Sequence, residues 1–226
     1  MRRSVLVLKA EMALGYQLVS RHRAPRFAAA LSAAFLVVSA AAGPLDTAAY
    51  RGLLAPVAAT VAAVAASRVL AQGAVLGAAR HAPCVPLLVV AGRFAGVMVI
   101  VGPAAVVLGA LLLAGLPPME VMSRIGLAVL CASAAAGVAM AMTPSWGASV
   151  GSAAGLMAAW GSQLPSLAGA DAAGSSVAGV VLLLASSFPG NADRSALVTL
   201  VHGAGWMVGT LTFTTWSISR RRAPGV

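Results

Sequence analysis

Acidic side chains, the usual carriers of general acid and base chemistry, are few in this chain and avoid its long apolar runs. Proton pumps and ion-coupled transporters need carboxylates or histidine relays at membrane depth, because a charge that crosses hydrocarbon needs a partner there. No acid of this chain is predicted at such a depth, since all fall in predicted loops or in the N-terminal arm. They are Glu11, Asp46, Glu120, Asp171 and Asp193. The acids therefore argue against an ion-coupled mechanism.

Strongly polar residues inside the apolar runs are also few. Gln163 and His202 are the candidates for polarity at membrane depth. Polar side chains of membrane helices commonly form hydrogen bonds with a neighbouring helix. For His202 we therefore favour such a bond over a role in proton relay.

The residues that could bind a metal or perform covalent chemistry do not form a recognisable group. Cys84 and Cys131 are the only cysteines, and neither has the neighbouring histidines or acids that a metal site needs. One is predicted in a loop and the other in a span, so no disulfide is expected. The chain also lacks a glycine-rich loop with a lysine that would cradle the phosphates of ATP. We therefore expect no catalytic activity and no cofactor on this chain.

The elements that would position these residues are membrane helices. Hydrophobic residues make up 60% of the chain and charged residues 9%, and the mean hydropathy is +0.94. A soluble domain has about 25% charged residues, whereas several apolar runs here reach the roughly 17–25 residues that a spanning helix needs. The alternating segments of a membrane β-barrel are absent. We predict an all-α polytopic membrane protein that forms a single transmembrane domain over residues 1–226.

The apolar runs predict six spans and two further segments. Residues 1–26 are predicted to form a helix that lies on the inner leaflet, because its polar and apolar residues separate onto two sides. Residues 174–190 contain the apolar run Val177–Phe188, which is too short to cross, so they are predicted to re-enter from the outer side. The spans are residues 27–43, 52–67, 94–116, 125–142, 147–167 and 196–218.

Charge asymmetry sets the predicted orientation. The net charge is +10, and basic residues cluster at the two ends of the chain. Because basic residues favour the cytoplasmic side of a membrane, six spans with both termini in the cytoplasm fit best. A seventh span at residues 177–188 would move the arginines of residues 220–222 outside. We predict a multi-pass protein of the cell (inner or plasma) membrane whose positive charge faces lipid headgroups rather than nucleic acid.

The polar stretch of residues 68–93 separates the second and third predicted spans. It carries basic residues and is predicted to form a short helix closed by Pro83 and Pro86. Between the N-terminal arm and the C-terminal tail, no other stretch is both long and polar enough to face the cytoplasm. This loop is therefore the predicted docking site for a separate motor subunit.

This arrangement resembles the permease subunit of type-2 ABC exporters over nearly the whole chain. In that family the loop after the second span runs from an arginine through an acid–glycine pair to a proline-containing turn, and then to an apolar helix that ends in a basic residue. The matching positions are Arg68, Gly73, Pro83, Leu87, Leu88 and Arg93. In this chain Ala71-Gln72 stands where the family has the acid before the glycine. The ion pair that the family makes from that acid is therefore not predicted here.

The resemblance implies a pore between two permease chains, identical or different, driven by two ATPase subunits that bind ATP and Mg²⁺. The loop would dock into the ATPase with the N-terminal helix bracing it, and the re-entrant segment would help to close the outer gate. The residues assigned to docking are Gly73, Leu76, Arg80, His81 and Pro83. Those assigned to a translocation pathway or gate are Gln163, His202 and Phe188. Two other interpretations stay open: a haem-export-type permease of cytochrome maturation, and a membrane scaffold or assembly protein that transports nothing.

Local spacing predicts how some helices pack. Gly147, Gly151 and Gly155 recur every four residues, which lets helix backbones approach closely, either within the chain or across a dimer. Glu120 and Arg124 are four residues apart, which predicts an ion pair on the surface of a helix. The threonines of the last span can return their hydroxyls to their own backbone and need not mark a polar path.

Overall fold

The computed structural model describes residues 2–41, 47–71, 86–113, 115–161 and 196–220. These residues form six α-helices and contain no strand. The helices are α1 (Arg2–Arg21), α2 (Arg23–Ala41), α3 (Thr47–Ala71), α4 (Pro86–Leu112), α5 (Pro118–Gly161) and α6 (Ala196–Arg220). The architecture is therefore all-α, as the composition predicts.

Within the described residues, four helical stretches are long and apolar enough to cross a membrane. They are Leu53–Ala71, Pro86–Leu112, Pro118–Gly161 and Leu197–Arg220. The third has 44 residues, and a straight helix of that length would measure about 66 Å, roughly twice the thickness of the hydrocarbon core. This helix must therefore change direction.

The change of direction occurs at Gly147, where the backbone has φ 86° and ψ 170°. This combination is essentially restricted to glycine, which has no side chain to clash. The turn divides α5 into a first arm, residues 118–146, and a second arm, residues 148–161. The turn predicted between the fourth and fifth spans thus falls at a single residue.

The two arms of α5 run antiparallel and in close contact. Gly151 packs against the backbone carbonyl of Ala139, and Gly155, one turn further on, packs against that of Ala135. Because neither glycine has a side chain, the second arm approaches the first to backbone distance. α5 is therefore a helical hairpin.

α3 fills the space beside this hairpin and runs antiparallel to its second arm. The Ser67 hydroxyl lies 2.6 Å from that of Ser152, and the Trp160 indole nitrogen donates to Thr60 Oγ1 at 3.1 Å. The contact surface is formed largely by small residues with no exposed area. They include Ala59, Ala62, Ala63 and Ala66 on α3, and Ala128, Ala132, Ala135 and Ala139 on α5.

α4 runs antiparallel to the first arm of α5. Gly109, near the end of α4, packs on Ile125, which lies early in the first arm. Ser133 Oγ, further along the arm, lies 3.8 Å from the sulfur of Met98 in the middle of α4. α4 therefore begins beside the turn of the hairpin and ends at the opposite end of the bundle.

α6 runs parallel to the first arm of α5. Gly203 packs on Leu130, and Thr210, two turns later, packs on Gly137. The second arm therefore ends, and α6 begins, at the same end of the bundle. The other end collects the C-terminal end of α3, the start of α4, the turn at Gly147 and the C-terminal end of α6, and we call it the base.

Some boundaries differ from the predicted ones. The N-terminal helix is interrupted at His22, earlier than predicted. α4 begins at Pro86, within the predicted loop 68–93 and eight residues before the predicted third span. The helix can start there because a proline at the first helical position needs no N–H partner. Arg93 then lies inside the helix, where it is paired with Glu11. The predicted re-entrant segment, residues 174–190, lies outside the described residues.

Gly147→Ala should destabilise the fold, because alanine is strained at this backbone conformation by about 1–3 kcal/mol. Gly126→Ala is the matched control, since Gly126 lies on the same helix with open space around it. We expect a lower Tm in detergent for Gly147→Ala and an unchanged or slightly higher Tm for Gly126→Ala. Equal Tm values for the two variants would contradict the turn at Gly147.

Candidate coupling site

α1 lies across the start of α4 at the base, and glycines make this contact close. A methyl group at Gly92 would lie 2.7 Å from Cβ of Glu11, and one at Gly96 would lie 2.5 Å from a backbone oxygen of α1. Gly15 of α1 faces the backbone of Arg93 at a similar separation. Because these three positions carry no side chain, α1 and α4 meet backbone to backbone.

Arg93 is fully buried in this contact, and its guanidinium bridges three helices. Nε donates to Oε2 of Glu11 on α1 at 2.9 Å, and Nη1 donates to the carbonyl oxygen of Val69 on α3 at 2.9 Å. Arginine stays charged in proteins, so the Glu11 carboxylate provides the counter-charge. We call this arrangement the Glu11–Arg93–Val69 bridge.

The bridge also satisfies the C-terminal end of α3. The Val69 carbonyl belongs to the last turn of that helix, where carbonyls have no partner within the helix. A cation at a helix C-terminus interacts favourably with the helix dipole as well. Arg93 therefore caps α3 while it binds α1. Its remaining nitrogen, Nη2, is buried and has no acceptor among the described residues.

The residues predicted to dock the ATPase lie outside the described part of the chain. They are Gly73, Leu76, Arg80, His81 and Pro83, and the same holds for the predicted pathway residues Gln163 and Phe188. What the structure brings together is the pair of helix ends on either side of residues 72–85. Arg68 at the end of α3 and Leu87 at the start of α4 are both exposed there.

His202, the third predicted pathway residue, is half-buried on α6. It lines an apolar groove of about 640 Å³ between α6 and the first arm of α5, together with Trp206 and Phe213. Thr210 also borders the groove, but its hydroxyl donates to the carbonyl of Trp206 at 2.6 Å. Thr214 bonds its own helix in the same way, which confirms the prediction for these threonines.

Gly151 and Gly155, predicted to form a packing face, make their contacts within the chain. Both lie against the first arm of α5, and Gly155 also faces the side chain of Ala63 on α3. Gly147, the third member of the pattern, forms the turn and has open space around it. The structure therefore places two of the three glycines in the interior of one chain.

Within the described ranges, no three His, Cys, Asp or Glu side chains lie together as a metal site would require. No protein-family model, curated protein or solved structure matches this chain. The feature that bears most directly on function is therefore the Glu11–Arg93–Val69 bridge at the base.

The pairing of Glu11 with Arg93 was not predicted from the sequence. Glu11 was assigned to the N-terminal arm and Arg93 to the end of the loop. A usable signal was nevertheless present. Each charge lies next to small residues at helical spacing, with Gly15 four residues after Glu11 and Gly92 and Gly96 around Arg93. Small residues mark helix contacts, and a lone charge beside such a contact calls for a partner across it.

Gly96→Val should separate α1 from α4, because the new side chain would overlap the backbone of α1. Overpacking of this kind costs about 1–3 kcal/mol, so amide hydrogen exchange in residues 4–20 should accelerate. Gly102→Val is the matched control on the same helix, since Gly102 has open space around it. Similar exchange in both variants would show that α1 does not depend on this contact.

Proposed function

We propose that this protein is the membrane-spanning permease subunit of an ATP-driven exporter of the type-2 ABC class. The observation that carries the proposal is the Glu11–Arg93–Val69 bridge, which ties the N-terminal helix to the two helix ends that flank residues 72–85. A separate ATPase that binds ATP and Mg²⁺ would dock on the loop of residues 68–93. Movement of that loop would then reach α1, α3 and α4 together.

We further propose six spans with both termini in the cytoplasm and the base on the cytoplasmic side. The parallel course of α6 and the first arm of α5 supports an odd number of crossings between them. The second arm supplies one crossing and α6 the next, so an additional full crossing by residues 174–190 would put α6 in the opposite direction. A re-entrant segment there is compatible with this course.

Charge and aromatic residues support the same orientation. Arg68 and Arg220 lie at the base, and Arg220 stacks over the Trp216 ring at 4.3 Å. Trp146 is exposed beside the turn of the hairpin, at the same end. Tryptophans favour the membrane–water interface, and arginines favour its cytoplasmic side. At the opposite end, Arg124 is offset by Glu120, its neighbour at 3.4 Å.

The exposed surface of α1 supports a position on the inner leaflet. Leu8, Glu11, Gly15 and Val19 face the rest of the protein, while an adjacent edge of apolar residues is exposed. That edge consists of Val5, Met12 and Tyr16, and the basic and polar residues Lys9, Gln17 and Arg21 are exposed beside it. A helix of this kind can contact acyl chains with one edge and anionic headgroups with the next.

The translocation path would lie between two permease chains. α6 is the least covered of the candidate spans, with large apolar side chains exposed along its length. They include Leu197, Val201, Val208, Phe213 and Trp216. This surface is available to a second permease chain or to lipid, and the groove that contains His202 opens along it.

Co-purification tests the proposal. In mild detergent we expect a stoichiometric ATPase, encoded in a neighbouring reading frame, to bind the chain and to hydrolyse ATP faster in the complex. Arg80→Glu should abolish this binding or stimulation without affecting membrane insertion, whereas Arg124→Glu, at the opposite end, should leave both intact. A stable oligomer that binds no ATPase would instead support a scaffold, and export in a strain without the ATPase would contradict the proposal.

Cysteine labelling tests the proposed topology. In a background without Cys84 and Cys131, Ser175→Cys and Arg221→Cys should react with a membrane-impermeant reagent from opposite sides. The reason is that residue 175 is proposed outside and residue 221 inside. Labelling of both from the same side of sealed vesicles would refute six spans with a re-entrant segment.

A further inference from the structure

We infer that Arg93 is a positioning residue that holds α1, the end of α3 and the start of α4 as one mechanical unit. Its two bonded partners lie far away in sequence, 82 residues for Glu11 and 24 residues for Val69. A single side chain therefore connects three helices. It adds a directional link to the close glycine contact between α1 and α4, and it ties both helices to the end of α3. The inference rests on the proposed function, because the unit would transmit the movement of a docked ATPase.

The depth of Arg93 fits this role. α4 has 27 residues, so it is about 40 Å long, roughly 10 Å longer than the hydrocarbon core is thick. Arg93 lies two turns from the start of α4, and the excess length can place it at the level of the headgroups. A charged pair is much less costly there than at the bilayer centre. With the base on the cytoplasmic side, as proposed, the bridge would lie where membrane helices meet the cytoplasmic surface.

The bridge needs an arginine rather than any positive charge. Nε and Nη1 hold acceptors on two different helices at the same 2.9 Å distance. The fork of a guanidinium presents its donors in fixed directions, whereas lysine offers a single nitrogen on a flexible stem. Lysine at position 93 could pair with Glu11 but could not also hold the Val69 carbonyl in this geometry.

Stability alone does not account for the bridge. A buried ion pair is often no more stable than two apolar side chains of similar volume, and Arg93 Nη2 has no acceptor among the described residues. The charged bridge instead fixes orientation, because its hydrogen bonds hold the three helices in one relative position. Removal of both charges should therefore preserve folding and weaken coupling.

The decisive variant is the double substitution Glu11→Met with Arg93→Met. It leaves no unpaired buried charge, so we expect a Tm near that of the unsubstituted protein and unchanged affinity for the ATPase. Stimulation of ATP hydrolysis in the complex should nevertheless fall by roughly fivefold or more, the usual size of a coupling effect. Arg93→Met alone should be less stable than the double variant, because it leaves the half-buried Glu11 without its counter-charge.

Arg93→Lys is the second variant, and it keeps the inference testable if the double variant does not fold. It should fold, bind the ATPase normally and show the same loss of stimulation. The matched control is Glu120→Met with Arg124→Met, which removes the ion pair at the opposite end. This control should change neither affinity nor stimulation.

Hydrogen exchange provides a measurement that needs no ATPase. In Arg93→Lys and in the Glu11→Met, Arg93→Met double variant, the amides of residues 4–20 should exchange faster, while those of the α5 hairpin should keep their protection. Unchanged exchange in α1 would overturn the inference, and so would full ATPase stimulation by either variant. If the unsubstituted protein binds no ATPase, the proposed function fails, and exchange in α1 still decides whether Arg93 holds the three helices together.

Discussion

Backbone-to-backbone contact between helices is the interaction on which the rest of this structure depends. Among lipid chains, apolar side chains gain little by leaving lipid for protein, so helix association relies on close packing and hydrogen bonds. The chain meets this constraint with alanine and glycine at its contacts. Ala63, Gly155 and Ala139 bring α3 and both arms of α5 together. Gly15, Gly92 and Gly96 do the same for α1 and α4.

Close packing also restricts where polar side chains can find partners. Most buried hydroxyls bond the carbonyl one turn earlier on their own helix, as Thr143 does with Ala139 at 2.6 Å. In such a bond the hydroxyl donates its proton within its own helix, so it has no proton left to donate to a neighbouring helix. The Ser67–Ser152 contact and the Glu11–Arg93–Val69 bridge are exceptions, because they connect different helices. Of these two contacts, the bridge is the charged one. Its hydrogen bonds are therefore the stronger, and they fix the relative position of the helices more firmly.

The proposed function follows from where this bridge lies. It joins α1 to the end of α3 and the start of α4, at the same end of the bundle as the turn of α5 and the last turn of α6. A partner that moved residues 72–85 would act on helices that are already connected to one another. The α5 hairpin, whose two arms pack tightly on α3, would provide the rigid frame for that movement. In this proposal, the helix ends at the base would move, and the alanine-rich interior of α3 and α5 would stay fixed.

Features that depend on short stretches of chain could be predicted from the sequence. Hydropathy alone indicated an all-α membrane protein, and the described residues form helices, of which four are long and apolar enough to cross a membrane. The Glu120–Arg124 pair and the threonine hydroxyl bonds were predicted correctly because both join residues one helical turn apart. The turn near Gly147 was predicted because residues 143–146 separate the predicted fourth and fifth spans.

Other features were decided only by the tertiary structure. The partner of Arg93 is 82 residues away. The small residues beside Arg93 indicate a helix contact, but they do not specify which acid will face the guanidinium. Arg93 lies inside α4 rather than at its end, and it can do so because the tertiary structure supplies Glu11 as its counter-charge. The contacts of α6 with the first arm of α5, such as Gly203 on Leu130, likewise depend on how distant helices pack. Local hydrogen bonds and hydropathy were determined by the sequence itself, whereas the pairing of charges across helices required all three helices to be in place.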